Sequence, residues 1–562
     1  MSDDNTVLEP GAGLPDSVRP GSDIFGGRLW PAVLLLVAGL STLALFLWEP
    51  FPPGIWHDDG VYLLLGQALA DGEGLRYVGV SGAPPAPKFP PLYPMVLALV
   101  WRLFPDLPGE TGIFGLLNVA VLIAAGAIFT AYLRRALRLP VAVALAIAAI
   151  AWLSLDLWRV AMVPLSEPLF ILLLVAALWS GTALELDPQW KRIAVFLGAF
   201  ALVFHTRTMG VVVGVAVPLA LITRGYRREA AATMLGATAL ALPWMIWSGA
   251  AVREVPEPLR DILGSYGGWL GAQAAASPGA FLLALPASTW GLLDRLLHAL
   301  VPAATPSVRM AAALVLVPAF AFGLREVARR SRSTGFTVVL LIGLLSVWPF
   351  QDRRLVTPLV PFVWAACALG FAPGLRELWQ LRPGGSGPPR PRRGPSFLLP
   401  MVGVLAVAWG SWFLVGSTLE LRRGLHVAPY RIRARMLARS VEALRGIPSE
   451  GAVVGAPELW PGIHLHTGLT VAPSAPFRPV SSGGPRWGDP GQQFRVWQAA
   501  GVDYIILEQG GLVHGAALTE LGRLCPDGAV QYVAIWAGGS LAKLDWDDEC
   551  RRRALEWEAS ER

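Results

Sequence analysis

Apolar runs of about 17–25 residues, each long enough to cross roughly 30 Å of hydrocarbon, recur through the first three quarters of this chain. That repetition constrains the fold more than any motif does. A backbone inside a bilayer must satisfy its own hydrogen bonds, so such runs fold as helices. Composition agrees: of 562 residues, 54% are hydrophobic and 15% charged, with mean hydropathy +0.51, too apolar for a soluble domain. Many of the 23 tryptophans lie near run ends (Trp30, Trp48, Trp56, Trp101, Trp152, Trp158, Trp348), where interfacial anchors belong.

About eleven spans can be drawn, at roughly 29–48, 111–133, 140–157, 165–183, 191–206, 208–223, 230–250, 307–324, 334–350, 355–372 and 396–417. Arginine placement orients them. Arg134, Arg135 and Arg138 follow the second span, Lys191 and Arg192 precede the fifth, and Arg224, Arg227 and Arg228 follow the sixth. Arg325, Arg329, Arg330 and Arg332 follow the eighth; Arg376, Arg382, Arg390, Arg392 and Arg393 follow the tenth. With the N-terminus inside, every cluster is cytoplasmic, as the positive-inside rule requires. The formal charge of +6 therefore reports topology and does not point to nucleic acid. An odd count places the C-terminal region outside. Between the fifth and sixth spans stands the polar break His205-Thr206-Arg207-Thr208. A re-entrant hairpin is the alternative there, and either arrangement leaves Arg207 near the outer face.

Residues 1–28 are polar, lack the basic start and cleavage site of a signal peptide, and read as a disordered cytoplasmic tail. The membrane domain covers 29–420, with a long first outer loop at 49–110 in which Pro90 to Phe104 reads as an amphipathic surface helix. The outer segment 251–306 has apolar stretches at 269–285 and 287–301, interrupted by Pro and Gly, that read as interfacial helices or a mobile loop. From 421 to 562 the pattern is that of a small α/β domain. Strand-like runs lie at Ala452–Gly455, Val502–Glu508, Val530–Trp536 and Leu541–Trp546, with helical stretches at 492–500 and 516–524. Cys525 and Cys550 both fall in this domain, and an extracytoplasmic location would allow them to pair. Cys367, inside a span, reads as a packing residue.

The chemistry concentrates at the outer face. Asp58 and Asp59 stand just past the first span, in Trp56-His57-Asp58-Asp59-Gly60-Val61-Tyr62. Carboxylates beside hydrocarbon are costly and mark function; adjacent acids perturb one another, which suits a general base with a helper. The bland reading is an N-cap for a helix running to Ala70, and one acid can cap while the other works. His57 reads as a hydrogen-bonding bystander. Lys88, before Phe89-Pro90-Pro91-Leu92-Tyr93-Pro94, suits a phosphate at the membrane surface or simple snorkelling. Glu167, in Ser166-Glu167-Pro168-Leu169, heads the fourth span either as a favourable first-turn acid or as part of the site. Arg207, Arg353 and Arg354 break the charge rule by lying outside, where they suit a lipid-linked phosphate or pairing with Asp352 or lipid headgroups; the site reading favours Arg207 and one of Arg353 and Arg354. No nucleotide-binding loop, zinc spacing or serine-hydrolase elbow is present in the sequence, so an activated donor would come from the membrane.

In pattern, this set resembles the GT-C superfamily of polytopic glycosyltransferases, in particular its bacterial branch containing the lipid A aminoarabinose transferase and protein O-mannosyltransferases. The resemblance is carried by Asp58-Asp59-x-x-Tyr62, Lys88-Phe89-Pro90-Pro91, Ser166-Glu167-Pro168-Leu169, Thr206-Arg207-x-x-Gly210 and Arg354-x-x-x-Pro358-x-x-Pro361. It spans roughly 29–420. Phe89 between the lysine and the prolines, and Val61 where some relatives carry arginine, are departures. The resemblance implies inverting transfer of a monosaccharide from a polyprenyl-phosphate donor to an envelope lipid, glycan or protein, in a bacterial inner membrane. It implies Asp58, Asp59 and Glu167 as catalytic-site acids, and Lys88, Tyr62, Arg207, Arg353 and Arg354 near donor phosphate. No cofactor is required, and a divalent metal ion is optional. Two other classes fit the topology: a transporter of lipid-linked substrate, which would favour internal repeats, and a non-catalytic membrane protein with a partner-binding outer domain.

Overall fold

Helices form at every expected span, as an unsolvated backbone demands. The computed structural model describes residues 29–104, 112–348, 352–380, 398–448, 451–457, 459–474, 490–508, 512–525, 530–536, 539–545 and 547–561. The expected N-terminal tail and the Pro/Gly-rich linker after the tenth span lie outside the described residues.

In chain order the membrane-domain helices are α1 (Leu29–Leu47), α2 (His57–Ala70), α3 (Leu92–Leu103), α4 (Gly112–Arg135), α5 (Val141–Trp152), α6 (Leu155–Ala161), α7 (Glu167–Leu186) and α8 (Trp190–Thr206). They continue with α9 (Val211–Thr223), α10 (Arg227–Ala251), α11 (Arg260–Leu263), α12 (Tyr266–Ala276), α13 (Pro278–Leu300), α14 (Pro306–Arg330), α15 (Arg332–Val347), α16 (Val360–Gln380) and α17 (Leu398–Arg422). Among the described residues, six helices are individually long and apolar enough to cross a membrane: α4, α7, α10, α14, α16 and α17. α1, α8, α9 and α15 are shorter. The expected third span is not straight: α5 and α6 meet at a 63° bend and make a seventh crossing if they are one span. The break is satisfied locally, because the Trp158 indole donates to the Trp152 carbonyl at 2.7 Å. A bend in an apolar run needs such a partner for each freed backbone group.

α7 sets the scale of the bundle. It carries a buried glutamate at each end, Glu167 and Glu185, separated by about 27 Å of helix. Arg207, at the end of α8, pairs with Glu167 at 2.5 Å; Arg224, at the end of α9, pairs with Glu185 at 2.7 Å. α8 and α9 therefore both run between the two ends of α7, and the re-entrant alternative is set aside. Residues of the arginine clusters expected to be cytoplasmic gather at the Glu185 end: the Arg332 backbone N–H donates to Glu185 at 3.0 Å, and Arg330 donates to the Leu137 carbonyl at 2.8 Å.

The first loop supplies α2 and α3. α3 is the amphipathic helix expected at Pro90 to Phe104, with Tyr93 and Leu97 buried and Met95, Leu99 and Leu103 exposed. The segment 251–306 is largely helical. Pro286 does not divide it as the sequence suggested, but lies inside α13.

The C-terminal domain begins with α18 (Ala428–Leu444). Its sheet contains β1 (Val453–Ala456), β2 (Thr470–Pro473), β3 (Tyr504–Glu508), β4 (Val530–Trp536) and β5 (Gly539–Leu544), ordered β2-β1-β3-β5-β4. β1 runs parallel to β2 and β3, while β5 is antiparallel to β3 and β4. Four further helices flank it: α19 (Trp460–Thr467), α20 (Pro490–Ala500), α21 (Leu512–Leu524) and α22 (Asp548–Glu561). Cys525 and Cys550 form a disulfide, Cα atoms 5.5 Å apart, which ties the end of α21 to α22. Cys367 is buried and free.

This domain packs on the first loop. The Val471 backbone N–H in β2 donates to the Gly79 carbonyl at 2.7 Å, so the loop adds a bridge at Val80 to the sheet edge. Gly54, with φ +82°, lies so close that an added Cβ would sit 2.2 Å from Gly462 Cα in α19. His466 contacts the Pro53 carbonyl at 3.1 Å. The sheet domain and the acid loop thus share one end of the bundle.

Candidate active site

The site grows from the N-terminus of α2. Asp59, fully buried, turns back on the preceding loop and accepts from the Trp56 backbone N–H at 2.8 Å and from that of Gly54 at 2.9 Å. It braces the turn that faces Gly462. Burial pushes this carboxyl up, the backbone donors oppose the shift and Asp58 adds to it, leaving a value of about 7. Neither acid is the N-cap residue, which is Trp56; Asp59, at the third position of α2, closes a capping box on the Trp56 backbone N–H.

Asp58 faces the other way. Its Oδ2 lies 2.5 Å from Arg354 Nη2. Burial raises its pKa, but Arg354, His57 and Lys88 outweigh that effect and hold it at about 2. Asp58 is an anion among cations. Arg354 is itself fixed by Asp352, whose carboxylate forms an ion pair with its guanidinium, 2.7 Å from Nε, and accepts from its backbone N–H at 3.0 Å. Lys88 Nζ lies 4.3 Å from the centroid of the Tyr266 ring and 3.5 Å from the Ile262 carbonyl. Burial draws its pKa down to about 8 despite Asp58, with Arg354 adding to the fall, so at neutral pH it remains a cation with few polar neighbours. Segment 251–306 thereby lies against the acid loop, and Tyr77 donates to the Leu263 carbonyl at 3.2 Å.

Behind Asp58 lies a second polar layer. Arg207 Nη1 meets Glu167 and also donates to Ser166 Oγ at 3.1 Å; Tyr62 shares a 2.9 Å hydrogen bond with the same hydroxyl. Tyr62 is wedged edge-on between Phe89 and Tyr93, at centroid distances of 5.0 and 4.9 Å. The Lys88-Phe89-Pro90-Pro91 segment thus reaches the site through both its lysine and its aromatic ring.

One expected member lies apart. Arg353 donates to both oxygens of Asp156, at 3.0 and 3.2 Å, and joins a network with Arg159, which donates to Glu420 at 3.4 Å. Neighbours on a 3₁₀ turn point about 120° apart, so Arg353 and Arg354 serve different clusters. Sequence reasoning missed Asp156, which lies within an apolar run until the bend before α6 turns it out. It also missed Tyr266, for which the sequence carries no signal. Among the described residues no group of three His, Cys, Asp or Glu side chains is placed to hold a metal ion.

No protein-family model matches the chain, and no curated protein matches it. Among solved structures it is similar to that of ArnT from Cupriavidus metallidurans bound to undecaprenyl phosphate, with 12% identity and TM-score 0.47, covering 92% of this chain and 98% of that one. The apo structure of the same protein gives 13% identity and TM-score 0.49, covering 91% and 98%. With both scores below 0.5, this likeness bears on neither the reaction nor the ligands of the present chain.

Proposed function

We propose that this protein is an inverting glycosyltransferase that takes a monosaccharide from a polyprenyl-phosphate carrier at the outer face of a bacterial inner membrane. The acceptor would be an envelope lipid, glycan or protein. The observation that carries the reading is the buried Asp58–Arg354 pair with Lys88 beside it. One carboxylate among convergent cations is the equipment for removing a hydroxyl proton while stabilising a departing phosphate.

Arg354 neutralises Asp58, and so low a pKa makes a poor base. A donor phosphate is a competing anion for Arg354. Sharing that guanidinium relieves Asp58 of its counter-charge and raises its proton affinity. Asp58 then takes the proton of the acceptor hydroxyl, and the oxygen attacks C1 of the sugar. The bond from C1 to the phosphate oxygen breaks, its electron pair leaving with the polyprenyl phosphate. Lys88 and Arg354 hold that charge. Arg207, neutralised by Glu167, orders the layer behind through Ser166 and Tyr62. Asp59 shapes the loop without meeting substrate.

The test is turnover of purified protein with a synthetic polyprenyl-phosphate sugar, alongside donor binding. Lys88→Ala should weaken donor binding, since its contact with phosphate precedes chemistry. Unchanged binding would remove Lys88 from the donor site.

A further inference from the structure

The end of the bundle opposite Asp58 holds a second built feature. Thr223, Arg224, Arg325, Arg329, Arg332 and Phe336 line a cavity of about 530 Å³ between α9, α14 and α15. Two of its arginines are framework: Arg224 is held by Glu185 at 2.7 Å, and Arg332 donates to the Thr223 carbonyl at 2.5 Å. The other two have capacity to spare. Arg325 has no ion-pair or hydrogen-bond partner among the described residues, and exposed Arg329 has only Glu326 at 3.6 Å. Among the described residues only two of the four guanidiniums meet a carboxylate, Arg224 at Glu185 and Arg329 at Glu326, and both acids also bond elsewhere, Glu185 to the backbone and hydroxyl of Ser333 and Glu326 to Arg330. The cavity is therefore a concentrated positive site.

Its surroundings indicate what fills it. Ile222, Phe322 and Val339 are exposed and lie one to three positions from Thr223, Arg325 and Phe336, on the same three helices. Apolar surface left open in a membrane protein faces acyl chains. A ligand with phosphate at the arginines and hydrocarbon along this strip matches both halves. Basic pockets between helices at the cytoplasmic side suit anionic headgroups in this way. Lys191 and Arg228 share this end of the bundle but do not line the cavity, so topology alone does not account for the convergence.

We infer that this pocket binds the phosphate of an anionic phospholipid, separate from the sugar-transfer site and independent of that reading. Full-length protein, stripped of lipid in detergent, would be mixed with phosphatidylglycerol or phosphatidylcholine and bound lipid read by native mass spectrometry. The protein should retain phosphatidylglycerol in preference. Arg325→Gln with Arg329→Gln should weaken that retention about tenfold or more, and Arg325→Gln alone should lose part of it. Lys191→Gln with Arg228→Gln, which removes the same charge outside the pocket, should keep it. Equal loss in both double variants, or equal retention of phosphatidylcholine, would overturn the site. Displacement of the lipid by soluble glycerol 3-phosphate at equal concentration would overturn the lipid assignment in favour of a soluble phosphate. All substituted residues are exposed, and matched thermal unfolding of the variants confirms that folding is not the readout.

Discussion

Asp58 and Asp59 are adjacent in sequence and opposite in use, because the first turn of a helix points successive side chains about 100° apart. One reaches back to brace the loop, the other faces Arg354. Asp59→Asn would leave an amide N–H₂ against one backbone N–H donor, and should cost about 1–3 kcal/mol of stability, seen as a lower thermal midpoint in detergent. An unchanged midpoint would show that the brace is unnecessary. Lys88 gives a pH test. Its pKa is lowered to about 8, so its charge is present below that pH and is lost above it. Donor affinity should therefore fall as pH rises through about 8, and the fall should vanish in Lys88→Ala. A flat profile in the parent protein would contradict phosphate contact by Lys88. The sequence made this pair of acids visible and offered both roles, but not their assignment. Which carboxylate braces the loop depends on where Gly54 and Trp56 fold back. Arg353 and Arg354 show the same limit: both read as outer cations, and only the turn they share sends one to Asp156 and the other to Asp58.

At the scale of elements, α7 connects the two polar layers, and its two buried glutamates make a controlled comparison. Glu185→Gln leaves Arg224 uncompensated far from the acid loop, and should destabilise the fold by about 3–5 kcal/mol while the folded fraction keeps its KM and kcat. Glu167→Gln disturbs Arg207 and Ser166 beside Tyr62, and should change turnover as well as stability. Kinetics that respond equally to both would separate activity from the Glu167 layer. Helix positions were legible because an apolar run of spanning length has no other structure open to it. The 63° bend between α5 and α6 was not, since Leu153 and Ser154 do not break the apolar pattern strongly. β2 was missed for a related reason: four residues ending in proline carry little alternation, and its register comes from β1 beside it.

Across the whole molecule, sidedness joins these elements into one device. The C-terminal sheet packs on the acid loop, so both must lie on one side of the membrane. On the proposed orientation, which follows the positive-inside rule, that side is outside, where the Cys525–Cys550 disulfide would persist. Single cysteines at Glu73 and Arg523, in the loop and in the sheet domain, should both react with an impermeant thiol reagent in intact cells, while one at Arg228 should be protected. Labelling of the first two but also of Arg228→Cys, or of neither of the first two, would contradict the orientation.

The most direct measurement is single-turnover sugar transfer by Asp58→Asn with a synthetic polyprenyl-phosphate sugar and acceptor, beside its donor affinity. The amide keeps the size of the carboxylate but cannot take the acceptor proton, and it no longer ties up Arg354. Turnover should fall by about 10²–10⁴-fold, with donor binding retained or strengthened. Turnover near that of the parent protein would show that the base is not Asp58 and that the reading built on its pairing with Arg354 is wrong.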